Sequence, residues 1–168
     1  VFTPETAVGL ALDVARDGLA AREMPIGAVV ISGDEVIGRA YTGEHALKRH
    51  IAHADLLAMV EADKILGFRK RDEPLILAVN LEPCLMCMGT AVTLGVQKIW
   101  YGLESPDDGA HELIKLWSPP NELAFFRRPA EIIGGIRRAE SQELFGEYAA
   151  GDGPHGMREW CRGLAARQ

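Results

Sequence analysis

The spacing of apolar positions changes along the chain, and each change predicts an element. Val8, Ala11, Ala15 and Leu19 recur at helical spacing behind Thr3-Pro4-Glu5, which reads as a cap residue, a first-turn proline and an early acid. A helix is predicted from Pro4 to Ala21. The β-rich runs Ile26–Ser32 and Glu35–Tyr41 flank Gly33-Asp34, the pattern of a hairpin. Thr42–His50 is polar and irregular. A second helix is predicted from Ala52 to Leu66, stopping at Gly67. After the charged connector Phe68–Glu73, Leu75–Val79 is a short, almost unbroken apolar run, as in a strand covered on both faces. Glu82-Pro83-Cys84 then turns into a third helix, Cys84–Leu94, closed by Gly95.

Lys98–Tyr101 reads as a strand, His111–Trp117 as a short helix ended by Ser118-Pro119-Pro120, and Glu131–Gly135 as a strand. Helices follow at Arg137–Ala150 and His155–Ala166, separated by Gly151-Asp152-Gly153-Pro154. Interleaved helices and strands imply an α/β layered domain, and the opening hairpin makes its sheet mixed.

Composition narrows the class. The chain has 168 residues, 48% of them apolar and 25% charged, which excludes a disordered chain and fits one domain over 1–168. Its core is expected over 4–150, with an added C-terminal helix over 154–167. The 18 Lys+Arg against 24 Asp+Glu leave a net charge of −6, which weighs against tight binding to long nucleic acid. No apolar run is long enough to cross a membrane, and acids and Arg16 interrupt any signal-peptide core near the N-terminus. Three cysteines cannot build a disulfide framework, and the expectation is a reducing, cytoplasmic setting.

Two segments carry candidate chemistry, His53-Ala54-Asp55 and Pro83-Cys84-Leu85-Met86-Cys87, each following a loop and opening a helix. Cys84 and Cys87, at i and i+3, put two sulfurs on one side of a helix turn, where the positive end of the dipole favours thiolate. If the two helix starts meet, His53 supplies a third ligand. No obvious fourth exists, because Cys161 lies in the far tail and reads as a buried small apolar residue. Three ligands and an open position are the pattern of catalytic zinc. A redox role for the Cys-x-x-Cys pair is the competing reading; it would be discarded by bound zinc and no disulfide.

The order H-A-acid, then P-C-x-x-C, resembles the cytidine/deoxycytidylate deaminase superfamily, whose pattern is H-x-E…P-C-x-x-C with the acid acting as proton carrier. Met24-Pro25-Ile26-Gly27-Ala28-Val29-Val30 and Leu81-Glu82-Pro83-Cys84 are most similar to the branch of tRNA adenosine deaminases, guanine deaminases and yeast-type cytosine deaminases. The resemblance spans residues 4–102 and implies a three-layer α-β-α, cytidine-deaminase-like fold with a mixed five-stranded sheet.

It also implies Zn2+ as cofactor, with His53, Cys84 and Cys87 as ligands and Asp55 as the acid/base. Ile26, Thr42 and Pro83 fall at substrate-contact positions, and relatives of this branch are usually homodimers. The implied reaction is hydrolytic deamination by zinc hydroxide with release of ammonia. The acidic charge and unmatched tail favour a purine-type nucleobase or nucleoside over tRNA. A tRNA adenosine-to-inosine deaminase and a non-catalytic, zinc-stabilised subunit are the alternatives.

Two departures from the family stand out. The usual Glu is Asp55, one methylene and roughly 1.5 Å shorter. Thr42 stands where purine deaminases of the family carry Asn, and offers one hydroxyl in place of an amide.

Overall fold

The structure, a computed structural model, describes residues 1–123 and 125–168. The elements run α1 (Pro4–Ala20), β1 (Gly27–Ser32), β2 (Glu35–Tyr41), α2 (Glu44–Leu47), α3 (Ala54–Leu66), β3 (Leu75–Leu81), α4 (Leu85–Leu94), β4 (Lys98–Leu103), α5 (His111–Leu116), β5 (Glu131–Ile133), α6 (Arg138–Ala150) and α7 (His155–Ala165). The strands form one sheet in the order β2-β1-β3-β4-β5. β1 is antiparallel to β2 and β3, whereas β3-β4 and β4-β5 are parallel, so the sheet is mixed and five-stranded as expected.

The alternation of side chains along the strands builds the three layers. Ala28, Val30, Leu77, Val79, Ile99 and Tyr101 share one core with Ala58, Met59, Met88 and Ala91 of α3 and α4. Val29, Ile31, Ile76, Ala78 and Trp100 share the other with Val8, Leu12 and Ala15 of α1 and Leu144 of α6. All seven residues of β3 are buried, because this strand has helices over both faces.

Local chemistry sets the element ends. Thr3 and Thr6 form a reciprocal capping box at the start of α1, behind Pro4 in the first turn. Gly95, at φ 78°, closes α4. α1 lies so close on β1 that a Cβ at Gly27 would fall 2.3 Å from Ala15 N and 2.4 Å from Ala11 O. Backbone cannot yield as a flexible side chain can. Gly27→Ala should therefore cost about 1–3 kcal/mol by overpacking and lower the melting temperature by several degrees.

Several of the sequence-based boundaries shift; β4 runs on to Leu103 and β5 stops at Ile133. α3 starts at Ala54, with His53 as its N-cap, and α6 starts after Arg137, which sits at φ 53°. The segment expected to be irregular holds the short helix α2. β3 runs on to Leu81 because Asn80 is fully buried with its amide satisfied: Oδ1 accepts from Gly27 N and Nδ2 donates to Pro25 O, both at 2.8 Å. A side chain thus ties the end of β3 to the segment leading into β1, just beyond the backbone ladder.

Candidate metal centre and active site

His53 and Cys84 are the N-caps of α3 and α4, and Cys87 lies in the first turn of α4. The packing of the two helices side by side on one face of the sheet brings their starts together. His53 Nδ1 lies 3.4 Å from Cys84 Sγ and 3.7 Å from Cys87 Sγ. One ligand atom from each of the three residues lies within 4.8 Å of the others. A tetrahedral ion bonded at about 2.3 Å to sulfur and about 2.0 Å to nitrogen separates those two ligand atoms by about 3.5 Å. The donor set therefore fits zinc in type and in spacing.

The three groups also perturb one another's protonation. Cys84 is pulled down to about 4, chiefly by the hydrogen bond from Cys87 and further by His53, against the opposing effect of burial. The imidazole of His53 is raised to about 9, first by its hydrogen bond with Cys84. Cys87 is pushed the other way by its bond to Cys84, by burial and by the nearby Asp55 carboxylate. Without a metal the three groups share protons among closely spaced donors; a divalent cation takes the place of those protons.

Asp55 is only 5% exposed. Burial above all raises its carboxyl to about 6, opposed by the hydrogen bond from Cys87. Cys87 Sγ donates to Asp55 Oδ1 at 2.9 Å, and Leu56 N donates to the same oxygen at 3.2 Å. The shorter acid thus still reaches the ligand cluster, because it sits in the first turn of α3 directly after the His53 cap.

A cavity of about 290 Å³ opens over this cluster. Its wall includes His53, Asp55 and Cys84, with Met24 and Ile26 from the segment before β1 and Thr42 and Glu44 from the segment after β2. Of the sequence-derived substrate positions, Ile26 and Thr42 line the cavity. Pro83 is buried behind the wall, where its carbonyl accepts from Ala110 N at 2.9 Å. Thr42 is fully buried, and its hydroxyl lies 3.1 Å from Glu44 Oε2 and 3.0 Å from Ala52 O.

Several wall residues have no signature in the sequence. Glu44 sits on α2, a helix too short for periodicity to reveal. Glu82 and Asp108 meet only through the fold of the loop after β4, where Ser105 N and His111 N donate to the Glu82 carboxylate and Ser105 Oγ donates to Asp108 at 2.5 Å. Gly156, Met157 and Trp160 come from α7. The spacing of Met157, Trp160, Cys161 and Leu164 identifies an amphipathic helix but not what it covers. In the fold, Cys161 and Leu164 pack with Phe145 and Tyr148 of α6, and the Trp160 ring meets Phe145 edge-on at 6.2 Å. That packing sets α7 along one side of the cavity.

Residues 3–103 match the family model of the cytidine and deoxycytidylate deaminase zinc-binding region. The chain is 38% identical over 119 residues to the tRNA-specific adenosine deaminase of Bacillus subtilis, covering 70% of this chain and 71% of that protein. It is 35% identical over 148 residues to a tRNA(Ile)-lysidine synthase of Deinococcus radiodurans, covering 84% of this chain but spanning only 24% of that relative's length. A solved structure from work on A-to-I editing by tRNA:A34 deaminases at the wobble position of transfer RNA superposes with a TM-score of 0.69 at 30% identity, over 83% of this chain and 98% of the other. A guanine deaminase from Bacillus subtilis does so with a TM-score of 0.58 at 26% identity, over 72% of this chain and 81% of the other. The chain belongs to the cytidine and deoxycytidylate deaminase family of zinc-dependent deaminases.

Proposed function

We propose that this protein is an aminohydrolase of a free nucleobase or nucleoside, of purine type and without phosphate. His53, Cys84 and Cys87 hold the zinc, and Asp55 moves the proton. The observation that carries the substrate class is the charge of the cavity wall. Glu44, Asp55, Glu82 and Asp108 contribute carboxyl groups to it, and among the described residues no Lys or Arg does. A phosphate group entering that field is repelled, whereas an uncharged base presenting amino and ring N–H donors finds acceptors. The volume falls at the low end of small-molecule sites, about 300–1,000 Å³, and α7 walls off one side.

Zinc held by His53, Cys84 and Cys87 would lower the pKa of water at the site to about 7 and so supply a nucleophile at neutral pH. Water adds to the amidine carbon, the bond to the exocyclic amine breaks, and the products are the ring carbonyl and ammonia. Asp55 carries one proton from water to the ring nitrogen, where it stays, and then carries the second, from the hydroxyl formed at the carbon, to the departing amine. Ile26 and Thr42 form the side of the cavity on which the base rests, and Pro83 fixes the backbone behind Cys84.

Exposed Leu85 and Leu113 border an apolar groove with Met88, Val92 and Trp117, which favours a homodimer through this face. The three free thiols favour a reducing compartment such as the cytoplasm. No helix among the described residues is long and apolar enough to cross a membrane.

Deamination of adenosine in tRNA is the second reading. It is favoured by the 38% identity to a tRNA-specific adenosine deaminase. An ammonia-release screen over adenine, guanine, cytosine, their nucleosides and 5′-monophosphates, beside inosine formation in tRNA, separates the two. At least one base or nucleoside is expected to turn over, with its monophosphate at least about tenfold slower because of the acidic wall. Inosine formation in tRNA exceeding every free-base rate, and falling steeply with salt, would reverse the assignment.

A further inference from the structure

We propose that Glu44 is a positioning residue for the metal centre, the outer carboxylate that holds the His53 imidazole in its ligating orientation. The inference rests on His53 being a zinc ligand. His53 turns Nδ1 toward the two sulfurs, at 3.4 and 3.7 Å, so Nε2 points away from them. Glu44 Oε1 lies 3.8 Å from that Nε2, one small side-chain rotation from a direct bond. A metal-bound neutral imidazole carries a hydrogen on its distal nitrogen, and a carboxylate acceptor there fixes ring, tautomer and basicity together.

Glu44 is itself held. Its other oxygen lies 3.1 Å from the Thr42 hydroxyl, which is also 3.0 Å from the carbonyl of Ala52, the residue just before His53. Giving its one hydrogen to the carboxylate, the Thr42 hydroxyl holds Glu44 beside the backbone that delivers the imidazole. α2 is pinned from below by Glu23, only 2% exposed, whose carboxylate accepts from Ala46 N at 2.7 Å and His45 N at 3.1 Å. A buried carboxylate spent on two amides of a four-residue helix makes sense if the place of that helix matters. What it places beside the metal cluster is Glu44.

The test is the zinc dissociation constant of the full-length protein, measured by chelator competition. Cobalt substitution adds the ligand-field spectrum as a readout of geometry. Glu44→Ala should bind zinc about 10- to 100-fold more weakly than wild type, with a perturbed cobalt spectrum. Glu44→Gln keeps an oxygen that can accept the Nε2 hydrogen, so it should fall between the two.

A loss smaller than tenfold in Glu44→Ala overturns the proposal, as does Glu44→Gln binding no tighter than Glu44→Ala. An effect confined to the KM for a base, with zinc affinity intact, makes Glu44 a substrate contact and overturns it too. If Glu44→Ala does not fold, Thr42→Val gives the same reading, because it releases Glu44 without changing its charge: tenfold weaker zinc supports the role and unchanged zinc overturns it. A wild-type chain that takes up no zinc defeats the ligand assignment itself, and the role of Glu44 with it.

Discussion

Cys84→Ala should yield a folded protein with zinc affinity reduced by about 10²- to 10³-fold and no measurable deamination. The magnitude follows from sharing roughly 10–16 kcal/mol of binding among a few ligands, so that losing one removes several kcal/mol. Cys84 is the variant to read first. Its side chain is only half-buried at the N-cap of α4, so truncation leaves little void and no stranded donor. Cys87→Ala is a harsher change, because this fully buried side chain also packs 2.9 Å from the Asp55 carboxylate, so its removal opens a void beside a buried acid. It should lose both zinc and fold stability, with Cys87→Ser recovering part of the stability but not the metal.

Metal analysis and melting curves with and without a chelator check this. A bound ligand stabilises the folded state by RT ln(1 + [L]/Kd). Chelation should therefore lower the wild-type melting temperature and leave that of Cys84→Ala nearly where it was. A Cys84→Ala protein that keeps stoichiometric zinc under the same chelator would remove this residue from the ligand set.

The convergence of His53, Cys84 and Cys87 was legible in the sequence because metal chemistry compresses its demands into short windows. Two sulfurs one helical turn apart, and an imidazole ahead of another helix, fix their own local geometry before the tertiary fold joins them. The rest of the cavity wall obeys no such local rule. Glu44 enters through α2, and α2 owes its place to Glu23, more than twenty residues earlier in the chain. Periodicity cannot register a four-residue helix whose anchor lies that far away.

Asn80 misleads in a related way. A polar residue after Leu75–Val79 reads as the end of a strand, yet its amide is fully satisfied by Gly27 N and Pro25 O, and the strand continues. α7 is the intermediate case. Its apolar stripe was readable, but the stripe specifies only that something is covered. Its docking on Phe145 and Tyr148, and so its place beside the cavity, is decided by side chains from another helix.

Asp55→Asn should reduce deamination by about 10²- to 10⁴-fold while leaving zinc content at the wild-type level. That range is what a positioned proton carrier contributes. Asn preserves the shape of the side chain and an acceptor oxygen, so the fold and the ligand cluster have little reason to move. What it cannot do is take a proton from water and return it to nitrogen.

The informative companion is Asp55→Glu. Asp55 lies both against Cys87 Sγ and on the cavity wall, so the added methylene can extend into open volume. Turnover within about tenfold of wild type is expected, since an uncorrected shift near 1 Å is worth about 100-fold and the cavity leaves room to correct it. The pattern to look for is wild type and Asp55→Glu active, Asp55→Asn inactive, and all three holding zinc. Equal rates in wild type and Asp55→Asn would show that the proton travels by another group. A wild type that holds zinc but releases no ammonia, beside an Asp55→Glu that does, would mean the shorter acid had cost this chain its catalysis while leaving the metal centre intact.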